Sequence, residues 1–225
     1  MPTTFGPVYC ETPDIASVFP IEPANTWSSG VIVLYGIAAL VLVARRAPRD
    51  LSLYALCALL IVNGVGSILW HGMRTRWALA LDALPALVFV LIVAFLWARR
   101  VVPLWQAIAV GLVLLILPLA FMRLDFGLLP AFRIVTSAVI IAVAASWLIV
   151  RTFSVDRTTA LIGAGALASA IAALSARILD AQACSFIPVG SHFMWHIFLS
   201  TAAFLCMLTL VRLKEVGTLS HAAQR

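Results

Sequence analysis

Three histidines stand at the ends of apolar runs, and their spacing is typical of metal ligands. His192 and His196 are four residues apart, which puts both imidazoles on one side of a helix and lets their nitrogens reach one ion. His71 ends an apolar run earlier in the chain. Three neutral imidazoles with an open fourth position describe a catalytic zinc site better than a structural one. We therefore expect His71, His192 and His196 to bind Zn²⁺.

Two more polar residues are expected close to His71. Asp82 is the only acidic residue in the interior of an apolar run, where a carboxylate costs roughly 2.5–3.5 kcal/mol on insertion scales. Ser67 precedes His71 by four residues and so shares its helix face. Residues 72–76 are a short connection, which makes the two helices antiparallel neighbours. A lone histidine at a membrane interface is usually an anchor, but this convergent set favours catalysis, with Asp82 and Ser67 as candidate catalytic residues.

The amino-acid composition indicates that the helices carrying these residues lie in a membrane. Of 225 residues, 64% are apolar and 11% charged, against roughly 45–50% and about 25% in soluble domains. Apolar segments recur close to the roughly 20 residues that cross a bilayer. They predict an all-α integral membrane protein, a seven-transmembrane helix bundle with an N-terminal lid segment. The predicted spans are residues 27–44, 51–70, 77–97, 102–122, 130–150, 158–179 and 191–211.

The loop charges predict an orientation. Ten of the 15 Lys and Arg residues fall on the face that holds the C-terminus, and the positive-inside rule makes that face cytoplasmic. Residues 1–26 contain no Lys or Arg and no unbroken apolar core, so they are not a signal peptide. We expect an extracytoplasmic lid at 1–26, a catalytic membrane domain at 27–212 and a cytoplasmic tail at 213–225, in a bacterial inner membrane. Scattered arginines exclude a nucleic-acid patch, and no obligate protein partner is evident.

Short motifs occur in order between residues 10 and 196. They are Cys10-Glu11, Glu22-Pro-Ala-Asn25-Thr-Trp-Ser, Ser67-Ile-Leu-Trp-His71, Leu81-Asp82-Ala-Leu-Pro85, Arg177-Ile-Leu-Asp180 with Cys184, and His192-Phe-Met-Trp195-His196. This ordered set resembles the alkaline ceramidases, within a wider group of seven-span hydrolases that includes the adiponectin receptors. The resemblance implies an intramembrane zinc amidase that cuts ceramide, a membrane lipid, into a sphingoid base and a fatty acid.

The resemblance also implies a role for each site residue. His71, His192 and His196 hold Zn²⁺, Asp82 handles protons, and Ser67 positions water or stabilises the oxyanion. The chemistry agrees, because zinc lowers the pKa of water and polarises a carbonyl. A nearby carboxylate can then pass a proton to the leaving amine.

Two features of the lid follow from the same resemblance. The family pattern pairs Cys10 and Cys184 in a disulfide. Animal members carry a calcium site that Glu11 and Glu22 match, with the carbonyl of Tyr9 as a further candidate. Val8 and Pro13 stand where that pattern has acidic or amide oxygens, and a Ca²⁺ site needs six or more oxygens. The alternative is a lid whose acids cap helix ends or meet Arg74 and Arg76.

Other functions stay open at this point. A seven-span receptor, or a lipid hydrolase whose zinc site acts on a different amide or ester lipid, would share these features. A retinal protein is excluded because the only lysine, Lys214, lies beyond the last span. Transporters usually show repeats or broken helices, which the sequence lacks. Arg177 and Asp180 are expected to form an i, i+3 ion pair, the alternative being a contact with the metal-ligand residues. Cys57 and Cys206 are expected to be small buried hydrophobes.

Overall fold

The computed structural model describes residues 6–13, 19–123 and 130–223, with side chains throughout except at 118–119, 121–123, 130–134 and 218–223. In these ranges the regular secondary structure is entirely helical. The helices are α1 (Pro23–Arg46), α2 (Leu51–Met73), α3 (Arg76–Val101), α4 (Leu104–Arg123), α5 (Pro130–Phe153), α6 (Arg157–Ile178), α7 (Asp180–Ala183) and α8 (His192–Ala223). The prediction of an all-α fold is confirmed.

Six of these helices, α1, α2, α3, α5, α6 and α8, are long and apolar enough to cross a membrane. The apolar stretch described in α4, Leu104–Leu117, is shorter, so the seventh crossing stays a prediction. Large apolar side chains such as Leu34, Leu84 and Val143 are exposed on the helices, as the hydrocarbon of a bilayer requires. These features are typical of a multi-pass membrane protein.

Helix boundaries differ from the predicted spans at both ends of the chain. Helix α1 begins at Pro23 instead of residue 27, because proline fits the first helical turn, where its missing N–H is not needed. The last residues of the predicted lid therefore belong to α1. Helix α8 continues to Ala223, through most of the predicted tail. The four-residue helix α7 is an element that the apolar pattern did not predict.

The chain divides into two compact units. The first comprises residues 1–89 and 168–205, and the second comprises 90–167 and 206–225. All the predicted site residues belong to the first unit. In the second unit, the indole of Trp97 donates to Thr152 at 2.8 Å, and Asp156 caps the start of α6 by accepting from the backbone of Thr159 at 2.7 Å.

Glycines let α2 approach its two neighbours in the first unit. A Cβ on Gly64 would lie 2.8 Å from the backbone nitrogen of Val33 in α1. A Cβ on Gly66 would overlap the carbonyl of Leu81 and the backbone nitrogen of Asp82 in α3. Small residues allow such close helix contact in membranes. The contact at Gly66 brings the polar face of α2 against Asp82.

We predict that Gly66→Ala lowers the free energy of unfolding by about 1–3 kcal/mol, the usual cost of overpacking a tight site. The added methyl group meets backbone atoms of α3, which cannot rotate away. Gly30→Ala is the matched control, because a Cβ there meets nothing within 4 Å. Unfolding in detergent measures both variants. Equal stability of Gly66→Ala and Gly30→Ala would contradict the close contact.

Candidate metal centre

Three histidines from two helices meet in the first unit. His71 lies in the last turn of α2, and His192 and His196 lie in the first turns of α8. Their nitrogen atoms lie within 4.8 Å of one another, and the residues are only 1%, 1% and 2% exposed. The ring centroids are 4.8 to 5.2 Å apart. The structure therefore brings together the three histidines that the spacing singled out, in an arrangement that could bind one metal ion.

A buried carboxylate orients the first histidine. Oε2 of Glu22 lies 2.5 Å from Nδ1 of His71, and Glu22 is 0% exposed. A carboxylate on one ring nitrogen fixes the tautomer and leaves Nε2 for a metal. Thr12 donates to Oε1 of Glu22 at 2.5 Å, and Arg74 lies 3.3 Å from the same oxygen. Burial raises the pKa of Glu22, while the Thr12 hydrogen bond and the Arg74 charge oppose that rise.

Two serines of α1 orient His196, and the sequence analysis did not identify them. Oγ of Ser28 lies 2.8 Å from Nδ1 of His196, and Oγ of Ser29 lies 3.5 Å from it. Both hydroxyls donate to the carbonyl of Asn25, at 3.1 and 2.7 Å. Because the Ser28 proton is used in this way, Ser28 accepts the Nδ1–H of His196, and Nε2 is left for a metal. The only signal in the sequence was their place after Asn25-Thr-Trp.

Tyr9 covers the third histidine. Its ring stacks on His192 with centroids 3.8 Å apart, and its hydroxyl accepts from Arg177 at 3.3 Å. Burial raises the pKa of Tyr9, against the nearby charge of Arg177. Nδ1 of His192 is buried without a hydrogen-bond partner among the described residues. A buried polar atom of this kind requires an explanation, and a bound metal ion would supply one.

A series of polar side chains links Asp82 and Ser67 to the histidines. Asn63 donates to the Asp82 carboxylate at 3.2 Å and to its backbone carbonyl at 2.6 Å. The hydroxyl of Ser67 lies near the Asp82 carboxylate, and Ser29 lies 3.1 Å from Ser67. Since Ser29 also faces His196, the side chains form a continuous series from α3 to the histidines. Asn63, one helical turn before Ser67, was missed by the sequence analysis.

Asp180 does not form the expected ion pair with Arg177. Its carboxylate accepts backbone N–H groups from Cys10 at 3.0 Å, Ser191 at 2.7 Å and His192 at 2.8 Å. Two of these backbone donors lie at the start of α8, where a carboxylate is favoured, while the Arg177 guanidinium lies over the rings of Tyr9 and Trp195 instead. Asp180 therefore fixes the start of α8, where two of the three histidines lie.

A disulfide lies beside this carboxylate. Cys10 and Cys184 are bonded, with Cα atoms 5.5 Å apart, whereas Cys57 and Cys206 are free. Gly190 has φ of +67°, and a Cβ there would meet both Asp180 and the sulfur of Cys10. Only glycine fits this close approach. The bond ties the N-terminal segment to the loop that leads into α8.

The oxygens considered for calcium have partners in the chain itself. Both carboxylate oxygens of Glu11 accept backbone N–H groups, from Ala24 and Asn25, each at 2.8 Å. The carbonyl of Tyr9 accepts from the backbone of Thr12 at 3.0 Å. Glu11 thus caps the start of α1, and Glu22 meets Arg74, as the alternative interpretation expected. These residues do not fit a Ca²⁺ site.

The chain was compared with known proteins. The family model described as Ceramidase matches residues 6–222. The match covers nearly the whole chain and includes the three histidines, Ser67, Asp82 and both cysteines of the disulfide. A search of curated proteins found no match.

We predict that Glu22→Gln weakens Zn²⁺ affinity about 10–100-fold, the usual cost of losing a partner that orients a metal-binding histidine. The amide keeps the size of the side chain but removes the charge that holds the Nδ1–H of His71. Competition with a chromophoric chelator measures the affinity. Asp156→Asn, an acid of the second unit, is the control and should bind as the unaltered protein does. Unchanged affinity in Glu22→Gln would reject the orienting role.

Proposed function

The chain belongs to the ceramidase family, and from this premise we propose that it is an intramembrane zinc-dependent amidase. Its substrates are ceramide-type N-acyl sphingolipids, and its products are a sphingoid base and a free fatty acid. One observation carries the proposal. It is the buried cluster of His71, His192 and His196, whose nitrogens lie within 4.8 Å of one another.

The donor set supports zinc as the metal. Three imidazoles suit Zn²⁺, whereas Mg²⁺ and Ca²⁺ prefer oxygen ligands. Orienting groups occupy Nδ1 of His71 and Nδ1 of His196, so Nε2 of each ring would be the atom that holds the ion. When bound, zinc supplies Lewis-acid chemistry that polarises an amide carbonyl and lowers the pKa of water toward about 7.

The chain's own residues move the protons. We assign to Asp82 the removal of a proton from the attacking water and its delivery to the leaving nitrogen of the amide. Asn63 and Ser67 hold the Asp82 carboxylate from one face of α2. Once Asp82 has taken the proton from water it no longer needs the Ser67 donor, and we assign the Ser67 hydroxyl then to the developing alkoxide, where a fixed donor stabilises negative charge.

The depth of the site suits a lipid amide. His71 is two residues before the end of α2 at Met73, and Asp82 is six residues after the start of α3 at Arg76. At about 1.5 Å per residue, both lie within about 10 Å of the same helix ends. The amide of a sphingolipid lies at the junction between its polar head and its hydrocarbon chains. Such a lipid can present the scissile bond without leaving the bilayer.

We place the N-terminus and the site on the outer side, with the C-terminus in the cytoplasm of a bacterial cell. The disulfide between Cys10 and Cys184 supports this orientation, because disulfides persist in oxidising compartments. Ten of the 15 Lys and Arg residues fall on the predicted face that holds the C-terminus, and the positive-inside rule supports the same orientation independently. Residues 1–26 then act as the lid, 27–212 as the catalytic membrane domain and 213–225 as the tail.

We predict about one zinc per chain in the purified protein, because three imidazoles are the minimum set of a catalytic site. His196→Ala should lose most of the metal, since two neutral rings remain. His221→Ala, in the predicted tail, is the control and should keep it. Elemental analysis gives the result. Near-stoichiometric zinc in all three single alanine variants of His71, His192 and His196 would contradict their assignment as zinc ligands.

We predict fatty acid release from N-acyl sphingolipids by the purified protein, measured by mass spectrometry. Asp82→Asn should keep its zinc while turnover falls by about 10²–10⁴-fold, the usual loss when a general acid–base group is removed. Asp156→Asn is the matched control for an acid-to-amide change.

A panel of other amide lipids and ester lipids in the same assay separates the alternatives. Faster cleavage of esters would favour a different lipid hydrolase, and no release from any lipid would reject the enzyme. Full activity of Asp82→Asn would overturn the proton-transfer role.

A further inference from the structure

A buried arginine lies between the N-terminal segment and the end of α2. Arg74 is 7% exposed and caps α2 in the left-handed conformation, with φ of 54°. Its guanidinium donates to the carbonyl of Pro7 at 2.6 Å and lies 3.3 Å from the carboxylate of Glu22. It also lies 4.2 Å from the centre of the Trp70 ring. A buried guanidinium is tolerated only when it is paired in this way.

The acids around it require positive charge. Glu11 and Glu22 are close enough to repel each other, and Glu22 is fully buried. The start of α1 supplies part of the compensation, because two of its backbone N–H groups point at Glu11 and a helix N-terminus carries partial positive charge. Arg74 supplies a full charge to Glu22. Each carboxylate therefore has a positively charged or partially positive partner in the chain itself.

We propose that Arg74 is a built-in cation that takes the place of calcium, so that the histidine centre is complete without that ion. This inference rests on the proposed function only in taking the histidines as the active centre. Arg74 is a positioning residue, since it acts on His71 through Glu22. Through the carbonyl of Pro7 it also holds the segment that carries Tyr9 against His192.

The composition of the segment agrees with this substitution. A Ca²⁺ ion needs six to eight oxygen ligands, whereas a guanidinium can pair with a single carboxylate and stack on an aromatic ring. Arg74 uses one carbonyl, one carboxylate and the face of Trp70. Val8 and Pro13, where the calcium pattern has oxygen donors, can therefore be apolar.

The decisive experiment measures the effect of added calcium on the zinc-loaded protein and the effect of removing the charge of Arg74. Zinc-loaded protein in detergent is dialysed against radioactive Ca²⁺, and zinc release to a chromophoric chelator is followed in calcium-free buffer and in the same buffer with millimolar calcium. We expect no stoichiometric calcium binding and the same rate of zinc release in both conditions. Arg74→Met should release zinc about 10–100-fold faster, as expected when the orientation of a ligand histidine is lost. Arg74→Lys should lie between the two, because it restores the charge but not the fork of donors.

Arg76→Met is the matched control, because Arg76 is exposed and only two residues away, and it should behave as the unaltered protein does. Stoichiometric calcium binding, or zinc release slowed by calcium, would overturn the proposal, as would normal zinc retention in Arg74→Met. The calcium arms use the unaltered chain and decide the matter even if that variant does not fold. No lipid is involved, so a protein that holds zinc without calcium but releases no fatty acid would defeat the proposed function alone.

Discussion

The buried carboxylate of Glu22 is the interaction on which the geometry of the site depends. It accepts from Thr12 and lies against His71 and Arg74, so one side chain joins the N-terminal segment, the start of α1 and the end of α2. The backbone N–H of Glu22 also donates to the carbonyl of His71 at 3.0 Å, which satisfies one of the acceptors that a helix end leaves free. A buried charge is stable only when its partners are in place. The contacts that stabilise Glu22 in the folded chain are therefore also the contacts that orient His71.

The start of α8 is fixed by a second carboxylate in the same way. Asp180 accepts from the backbone of Ser191 and His192, and its other oxygen accepts from Cys10. Glu22 reaches the same short segment through Thr12. Residues 10–12 thus connect both helix ends that carry histidines, and the disulfide makes one of those connections covalent. Three histidines from two helices can lie together because a single segment restrains both helices.

The sequence could predict the helices and the pairing of His192 with His196 because both follow from local rules, and His71 was added because it ends an apolar run on the same face of the membrane. Apolar run length and an i, i+4 spacing do not depend on distant partners. The groups that orient the rings could not be predicted, since Ser28 and His196 are 168 residues apart. Asp180 was misjudged for the same reason. A neighbouring arginine was visible in the sequence, but the distant backbone N–H groups that bind the carboxylate more strongly were not.

Polar side chains within the helices are tolerable in a membrane only because they satisfy one another. Asn63 and Ser67 lie one turn apart on α2. Asn63 donates to Asp82 and Ser67 lies near it, which the close approach at Gly66 makes possible. Ser67 also meets Ser29, which faces His196. Every member of this series thus has a polar neighbour within the chain. The buried Nδ1 of His192 lacks a hydrogen-bond partner among the described residues. The cluster in which a metal ion would bind therefore contains an unsatisfied buried nitrogen.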